Sequence, residues 1–546
     1  MSTHTSHHGQ IVDVVNKRIY PGVINVVGGK IVSIREDSTM NEKSFLAPGF
    51  IDAHIHIESS LLSPQEFARI AVIHGTIGTV SDPHEIANVL GVEGIRYMQR
   101  MANQTPLKIH YGIPSCVPAT RFESAGATID SAAVEQLCHD KSLLYLSEVM
   151  NYPDVICGDA ETIRKLSIAQ DFGKMIDGHA PGLRGKDLET YIAAGIQTDH
   201  ECFELEEALE KEKLGLKILI REGSAAKNFE ALWPMLTSHP RSCMLCSDDK
   251  HPYDLLKGHI NQLCARAVAY GVPLFHVLQA ACINPVQHYG LTCGMLRVGD
   301  AADFVRLDDL TEFQVLETWI NGELVAQKGV SLLPKTNAPC LNRFETSRKS
   351  QDSFAVRWQD GSVRVIEARD GSLITGSSQE RPLRDREWII ADPSRDILKI
   401  AVVNRYRDTL PAVGFVRGIG LQCGAIASSI AHDCHNIVAV GCSDESLAQV
   451  VNLVIAKKGG IAVVSPGQAD AVLPLPIAGL MSDRYAEQVA EEFARLTHRV
   501  QQLGSPLQAP FMTLSFLALL VIPELKISDL GLFDGQLFKQ VSLYYD

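Results

Sequence analysis

The clearest capacity for chemistry lies in His54 and His56, which end the run Pro48-Gly-Phe-Ile-Asp-Ala-His-Ile-His56. The run is apolar, as a buried strand requires. Strand side chains alternate between faces, so residues two apart point the same way. A lone histidine reads as structural, but two on one face directly after a buried strand read as metal ligands. Further ligand types close or follow later apolar runs: Glu148, His179, His200 and Asp248. Four imidazoles and two carboxylates suit first-row cations such as Zn, Mn or Fe(II) rather than Ca or Mg. Six side chains exceed the needs of one catalytic ion, which keeps an open position. Two ions bridged by a carboxylate fit the set better.

Apolar runs that could carry these residues fall at 50–54, 76–81, 108–112, 145–149, 175–178, 196–198, 216–220 and 243–247. Stretches of helical length, such as 64–74 and 204–213, separate most of them. Eight βα units over roughly 250 residues is the arithmetic of an α/β chain folded as a (β/α)8 TIM-like barrel, whose active site sits at the carboxyl ends of the strands. A doubly wound open sheet gives a similar alternation.

The flanks of this section read as β structure. Gly28-Gly29 separates 24–27 from 31–34, and Asn321-Gly322 separates 317–320 from 323–326, both tight hairpin signals. With a strand at 303–307, the two flanks predict one small β domain, 1–47 plus 296–332, around a barrel at 48–295. A polar, proline-containing linker at 333–342 precedes a C-terminal α+β domain at 345–546, with strands at 362–366, 400–403, 437–440 and 460–464 and helices at 446–457 and 483–503.

The formal net charge of -14 gives no basic surface for a phosphate backbone, which argues against nucleic acid. No basic segment followed by an apolar one opens the chain, so no secretory leader is expected. The longest apolar run, 511–522, is broken by Thr513 and Ser515 and is shorter than the ~20 residues that span a bilayer, so no membrane is expected either. The thirteen cysteines then read as reduced thiols of a cytoplasmic protein.

Several other motifs lead elsewhere. His56-Ile-Glu58 and Cys243-Met-Leu-Cys246 imitate the zinc site of cytidine-type deaminases, but Ser242 stands where a proline is expected, and the cysteines read as core. His84-Glu85 begins a zinc-protease motif that ends on Asn88. Gly418-Ile-Gly420 is too short for a dinucleotide site. His432, Asp433 and His435 read as a polar turn in preference to a further metal site.

The His-x-His pair, strand-four acid, two later histidines and strand-eight aspartate together resemble the amidohydrolase superfamily. Within it, longer strings resemble the bacterial adenine deaminase family: Asp52-Ala-His-Ile-His-Ile-Glu-Ser-Ser60, Ser81-Asp-Pro-His-Glu-Ile-Ala-Asn88, Ser115-Cys-Val-Pro-Ala-Thr120, Gly178-His-Ala-Pro-Gly-Leu183, Arg221-Glu-Gly-Ser-Ala-Ala-Lys-Asn228 and Ser247-Asp-Asp-Lys-His-Pro252. The chain departs at Asp154 and Cys434, where the family carries glycine and serine.

The resemblance implies hydrolysis of adenine to hypoxanthine and ammonia by a metal-bridging hydroxide, a purine-salvage step; the surface of two accessory domains suits a homo-oligomer, a dimer for preference. The resemblance also implies two divalent ions per chain, Mn first and Fe(II) or Zn next, held by His54, His56, Glu148, His179, His200 and Asp248. Glu148 would bridge them and Asp248 would carry the proton. Adenine contacts would come from Glu58, Ser81, Asp82, His84, Glu85, Ser224 and Lys227, each of which could instead support a metal-bound histidine. The alternative is a cyclic-amide hydrolase of the dihydroorotase or hydantoinase type. Many of those carry a carboxylated lysine where this chain has Glu148. A non-catalytic scaffold conflicts with six ligand-competent positions.

Overall fold

The computed structural model describes residues 4–545. Strands β1 (His4–Asp13), β2 (Arg18–Val27), β3 (Lys30–Glu36) and β4 (Phe45–Pro48) open the chain. Eight more follow: β5 (Phe50–Ile55), β6 (Thr76–Ser81), β7 (Lys108–Ile113), β8 (Leu143–Val149), β9 (Met175–Gly178), β10 (Thr198–Asp199), β11 (Lys217–Arg221) and β12 (Cys243–Cys246). Their neighbours pair parallel within a five-stranded and a three-stranded sheet. Gln197 N donates to Ile176 O at 2.9 Å beside β9, and Asp248 N donates to His54 O at 2.9 Å beside β5. These bonds join the two sheets at both ends into a TIM-like ring. β5 and β6 are buried throughout, which is why they read as continuous apolar runs rather than alternating ones. Cys243 and Cys246 lie in the buried β12, as core.

Strands β13 (Phe304–Leu307), β14 (Val315–Ile320), β15 (Glu323–Gln327) and β16 (Val330–Ser331) join β1 to β4 in one sheet, ordered β16-β15-β14-β13-β4-β1-β2-β3. The β4–β13 pair, with Phe304 opposite Pro48, fastens the two flanks together beside the ring. Asn321 and Gly322 both take positive φ, 50° and 75°, as a two-residue hairpin turn between β14 and β15 demands. The sequence reading assigned no strand before residue 24. β1 is rich in histidine and serine on its exposed face, which hides its alternation, yet it pairs with β2 over ten residues.

The C-terminal region carries a second eight-stranded sheet containing Val363–Glu367, Leu398–Val403, Ile437–Gly441 and Gly460–Val464. Its two faces follow the strand period. Ala401, Val403, Ala425 and Ala439 pack on the helix Asp444–Lys457, while Ile400, Val402, Ile426 and Val440 join the core that contains the barrel. Further ties reach the loop after β7: Asn436 Nδ2 donates to Ser124 O at 2.8 Å, and Ser528 Oγ to Phe122 O at 2.8 Å. Residues 511–522 fold into the short helix Pro510–Phe516 and the turns after it, and among the described residues no helix is long and apolar enough to cross a membrane.

Candidate active site

The carboxyl ends of the parallel strands bring the six sequence-predicted ligands together. His54, in the last turn of β5, and His56, just beyond it, present Nε2 atoms 3.2 Å apart. Glu148, near the end of β8, faces both halves of the cluster. Its Oε1 lies 3.2 Å from His56 Nε2, and its Oε2 lies 2.7 Å from His179 Nδ1 and 3.2 Å from His200 Nε2. Asp248 Oδ1 lies 3.1 Å from His56 Nε2 and 3.5 Å from His54 Nε2.

Surrounding residues fix these side chains. Asp52 accepts from Ser247 N at 3.0 Å and pairs with His259 Nε2 at 2.7 Å, which ties β5 to the residue before Asp248. Tyr191 OH donates to Val149 O at 2.7 Å and accepts from His179 N at 3.0 Å, locking the ends of β8 and β9 together. Asn228 accepts from Arg221 N at 2.7 Å and donates to His200 O at 3.0 Å.

Burial alone would push the Glu148 carboxyl up, but the imidazoles of His179, His200 and His56 hold it well below the usual range. Asp248 is likewise held down, chiefly by Arg221. His179 Nε2 is buried without a hydrogen-bond partner, and His200 Nε2, 3.2 Å from Glu148 Oε2, is not aligned to hydrogen-bond it. Unpaired buried ring nitrogens beside carboxylates are costly unless a cation meets them, so the donor set fits a divalent metal.

The same cavity takes in His84, Glu85, Glu201, Asp249, His432 and Asp433, with Met150, Leu373, Phe516 and Leu519 as its apolar walls. Asp82 holds His84, with Oδ2 3.1 Å from Nδ1. Glu58 is buried behind Glu85 and accepts from Ile86 N at 3.3 Å; burial, followed by Glu85, pushes its carboxyl up to about 8. Ser81 turns to Thr79, 2.9 Å away. Ser224 and Lys227 are not brought to the cluster: Ser224 Oγ donates to Asp254 at 2.7 Å, and the half-exposed Lys227 lies 3.9 Å from Glu222. Asp154 lines a neighbouring cavity of about 560 Å³ and not the ligand cluster.

Glu201, Arg221, Asp249, His432 and Asp433 escaped the sequence reading as site residues. Glu201 follows a named ligand and Arg221 ends β11, so the strand-end rule could have found both. His432 and Asp433 do lie in a turn, but their side chains face the barrel: Asp433 Oδ1 is 3.6 Å from His84 Nε2, and His432 Nδ1 is 3.7 Å from Glu85 Oε1. Contacts across more than 340 residues of chain leave no local signal.

Residues 45–325 match the amidohydrolase family, and residues 372–539 match the adenine deaminase C-terminal domain. The adenine deaminase of Sulfurovum sp. strain NBC37-1 is 52% identical over 528 residues, covering 96% of this chain and 97% of its own. That of Salinibacter ruber is 51% identical, covering 98% of each. Among solved structures, a β-aspartyl dipeptidase of Fervidobacterium islandicum AW-1 aligns with a TM-score of 0.46 at 15% identity, over 60% of this chain and 98% of its own. The chain belongs to the adenine deaminase family of the amidohydrolases.

Proposed function

We propose that the protein hydrolyses adenine to hypoxanthine and ammonia, a purine-salvage step. The reading is carried by similarity at about half identity, over nearly the full chain, to proteins named for that activity. The division at 1–47 plus 296–332, 48–295 and 345–546, the cytoplasmic location and the homodimer belong to the same reading. All thirteen cysteines are unpaired, as a reducing compartment requires.

His54, His56, Glu148, His179, His200 and Asp248 would hold two divalent ions, manganese by preference and iron(II) or zinc next. Such ions supply Lewis acidity, which lowers the pKa of water from 15.7 to about 7. Water's oxygen bonds to C6 and the C6–N6 bond breaks; of the water's two protons, one moves to N1 and the other leaves on the amine as ammonia. Asp248 would take the proton of the attacking water on Oδ1 and return it to the leaving amine, a role supported by Arg221 holding its other oxygen. The apolar walls take the ring faces and exclude bulk water.

The test is incubation of the Mn(II)-loaded protein with adenine, following ammonia and the ultraviolet change to hypoxanthine. Turnover is expected, abolished by chelation and restored by Mn(II) or Fe(II). No turnover with two metals bound per chain would overturn the reading.

A further inference from the structure

We propose that Glu85 and His432 form a subsite that reads the purine edge opposite C6, recognising a free base by its N9–H and N3. The inference rests on the adenine reading above and assigns a substrate-binding role to a turn of the C-terminal region.

His84 stands between two groups of side chains in the cavity. Its Nδ1 lies 3.5 Å from Glu148 Oε1, on the ligand side, and its Nε2 lies 3.6 Å from Asp433 Oδ1, on the far side. Beyond it, Glu85, Asp249 and His432 gather within reach of one another. This far group has more acceptors than donors. The hydroxyl of Ser59 lies 2.8 Å from Glu85 Oε1 and 2.6 Å from Asp249 Oδ1, yet it has one hydrogen for two carboxylates. Glu85 Oε2 and Asp433 Oδ2 have no partner at all, and both side chains are buried. His432 Nδ1 stands 3.5 Å from Asp433 Oδ1 and 3.7 Å from Glu85 Oε1, beyond hydrogen-bond length from either. A donor carried by an occupant would satisfy the buried oxygens left this way.

Leu373, Leu519 and Phe516 close the same space, and the ring of His432 lies 5.4 Å from that of Phe516, so an occupant meets apolar and aromatic walls as well as the carboxylates, as suits a flat base with N–H donors on its edge. With C6 at the ligand end, adenine's opposite edge carries N9–H, a donor, beside N3, an acceptor. A carboxylate beside an imidazole N–H is the matching pair. A substituent on N9 removes the donor and leaves the Glu85 carboxylate unpaired. Sites built on such a bond reject the analogue lacking it by roughly 10⁴-fold.

Matched analogues on the metal-loaded enzyme test this. Wild type should prefer adenine to 9-methyladenine by kcat/KM, and hypoxanthine to 9-methylhypoxanthine by calorimetric affinity. Glu85→Ala and the more conservative Glu85→Gln should each shrink both preferences tenfold or more at unchanged metal content. His432→Phe, which keeps a ring but has no N–H donor, should leave the 9-methyl preference alone and shrink the preference for adenine over 3-deazaadenine, which lacks the N3 acceptor. Preferences unmoved in the folded, metal-loaded variants would overturn the subsite alone. Wild type that fails to turn over adenine would overturn the functional reading and this one with it.

Discussion

Asp248 is gripped by Arg221 on one oxygen and turned to the histidines with the other: Oδ2 accepts from Arg221 Nη1 at 2.6 Å, while Oδ1 lies 3.1 Å from His56 Nε2. The same guanidinium donates from Nη2 to Glu201 Oε2 at 2.8 Å, so a single buried cation orders two carboxylates. Replacing Arg221 with methionine strands both charges. Breaking a buried pair this way costs about 3–5 kcal/mol. Arg221→Met should therefore melt well below wild type and bind less metal. Arg221→Lys keeps the charge but loses the planar fork, and it should recover stability more than turnover. Thermal melting, metal content and kcat on the three proteins would check the order.

Ligand and proton-transfer roles separate by substitution. His54→Ala and His179→Ala each remove an imidazole from the cluster and should lose metal and activity together. Asp248→Asn keeps an oxygen toward His56 and should retain part of the metal, yet its kcat should fall by about 10²–10⁴, the usual worth of a positioned acid–base group. Metal analysis beside kcat distinguishes the two patterns. Normal turnover by Asp248→Asn would end the proton-carrier assignment.

The barrel should not survive alone. Residues from the C-terminal sheet, including Ile400, Val402 and Val440, share one core with the barrel. Phe516, Leu519, His432 and Asp433 reach the cavity itself. A chain ending at Asn342 would expose that apolar face and open the cavity to water. It should be insoluble or inactive on adenine, which expression and assay of the fragment would check.

The ring strands and the gathering of the six candidate ligand residues were legible because both obey short-range rules. Buried parallel strands read as apolar runs, and polar residues of ligand type at the ends of five of the eight strands stand out against them. His54 and His56 are the plainest case. The turn bearing His432 and Asp433 obeyed no such rule, since its meaning depends on a sheet placed against the barrel by a core spread over the whole chain. Lys227 failed in the opposite way. It sits in a string resembling the family, but β11 ends at Arg221, and by Lys227 the chain has turned back to pair with Glu222 outside the cavity.

Lys526 connects the roof of the cavity to pH. It is fully buried in the strand Leu525–Ser528 and donates from Nζ to Leu373 O at 2.6 Å and Phe516 O at 3.0 Å, the carbonyls of two residues that wall the cavity. Burial pulls its pKa from 10.5 down to about 7. Below pH 7 the lysine is charged in both folded and unfolded chains, and the folded state bears the full cost of burying it. Between about 7 and 10.5 the unfolded chain binds the extra proton, so stability contributed at this site rises with pH. Lys526→Met removes the dependence. The urea midpoint of wild type relative to Lys526→Met should therefore climb from pH 7 toward pH 10, while other titrating groups cancel between the two proteins. The same substitution releases both carbonyls, so the walls loosen and KM for adenine should rise more than kcat falls. A midpoint difference flat across that window would mean that Lys526 is not the group whose burial couples this roof to protons.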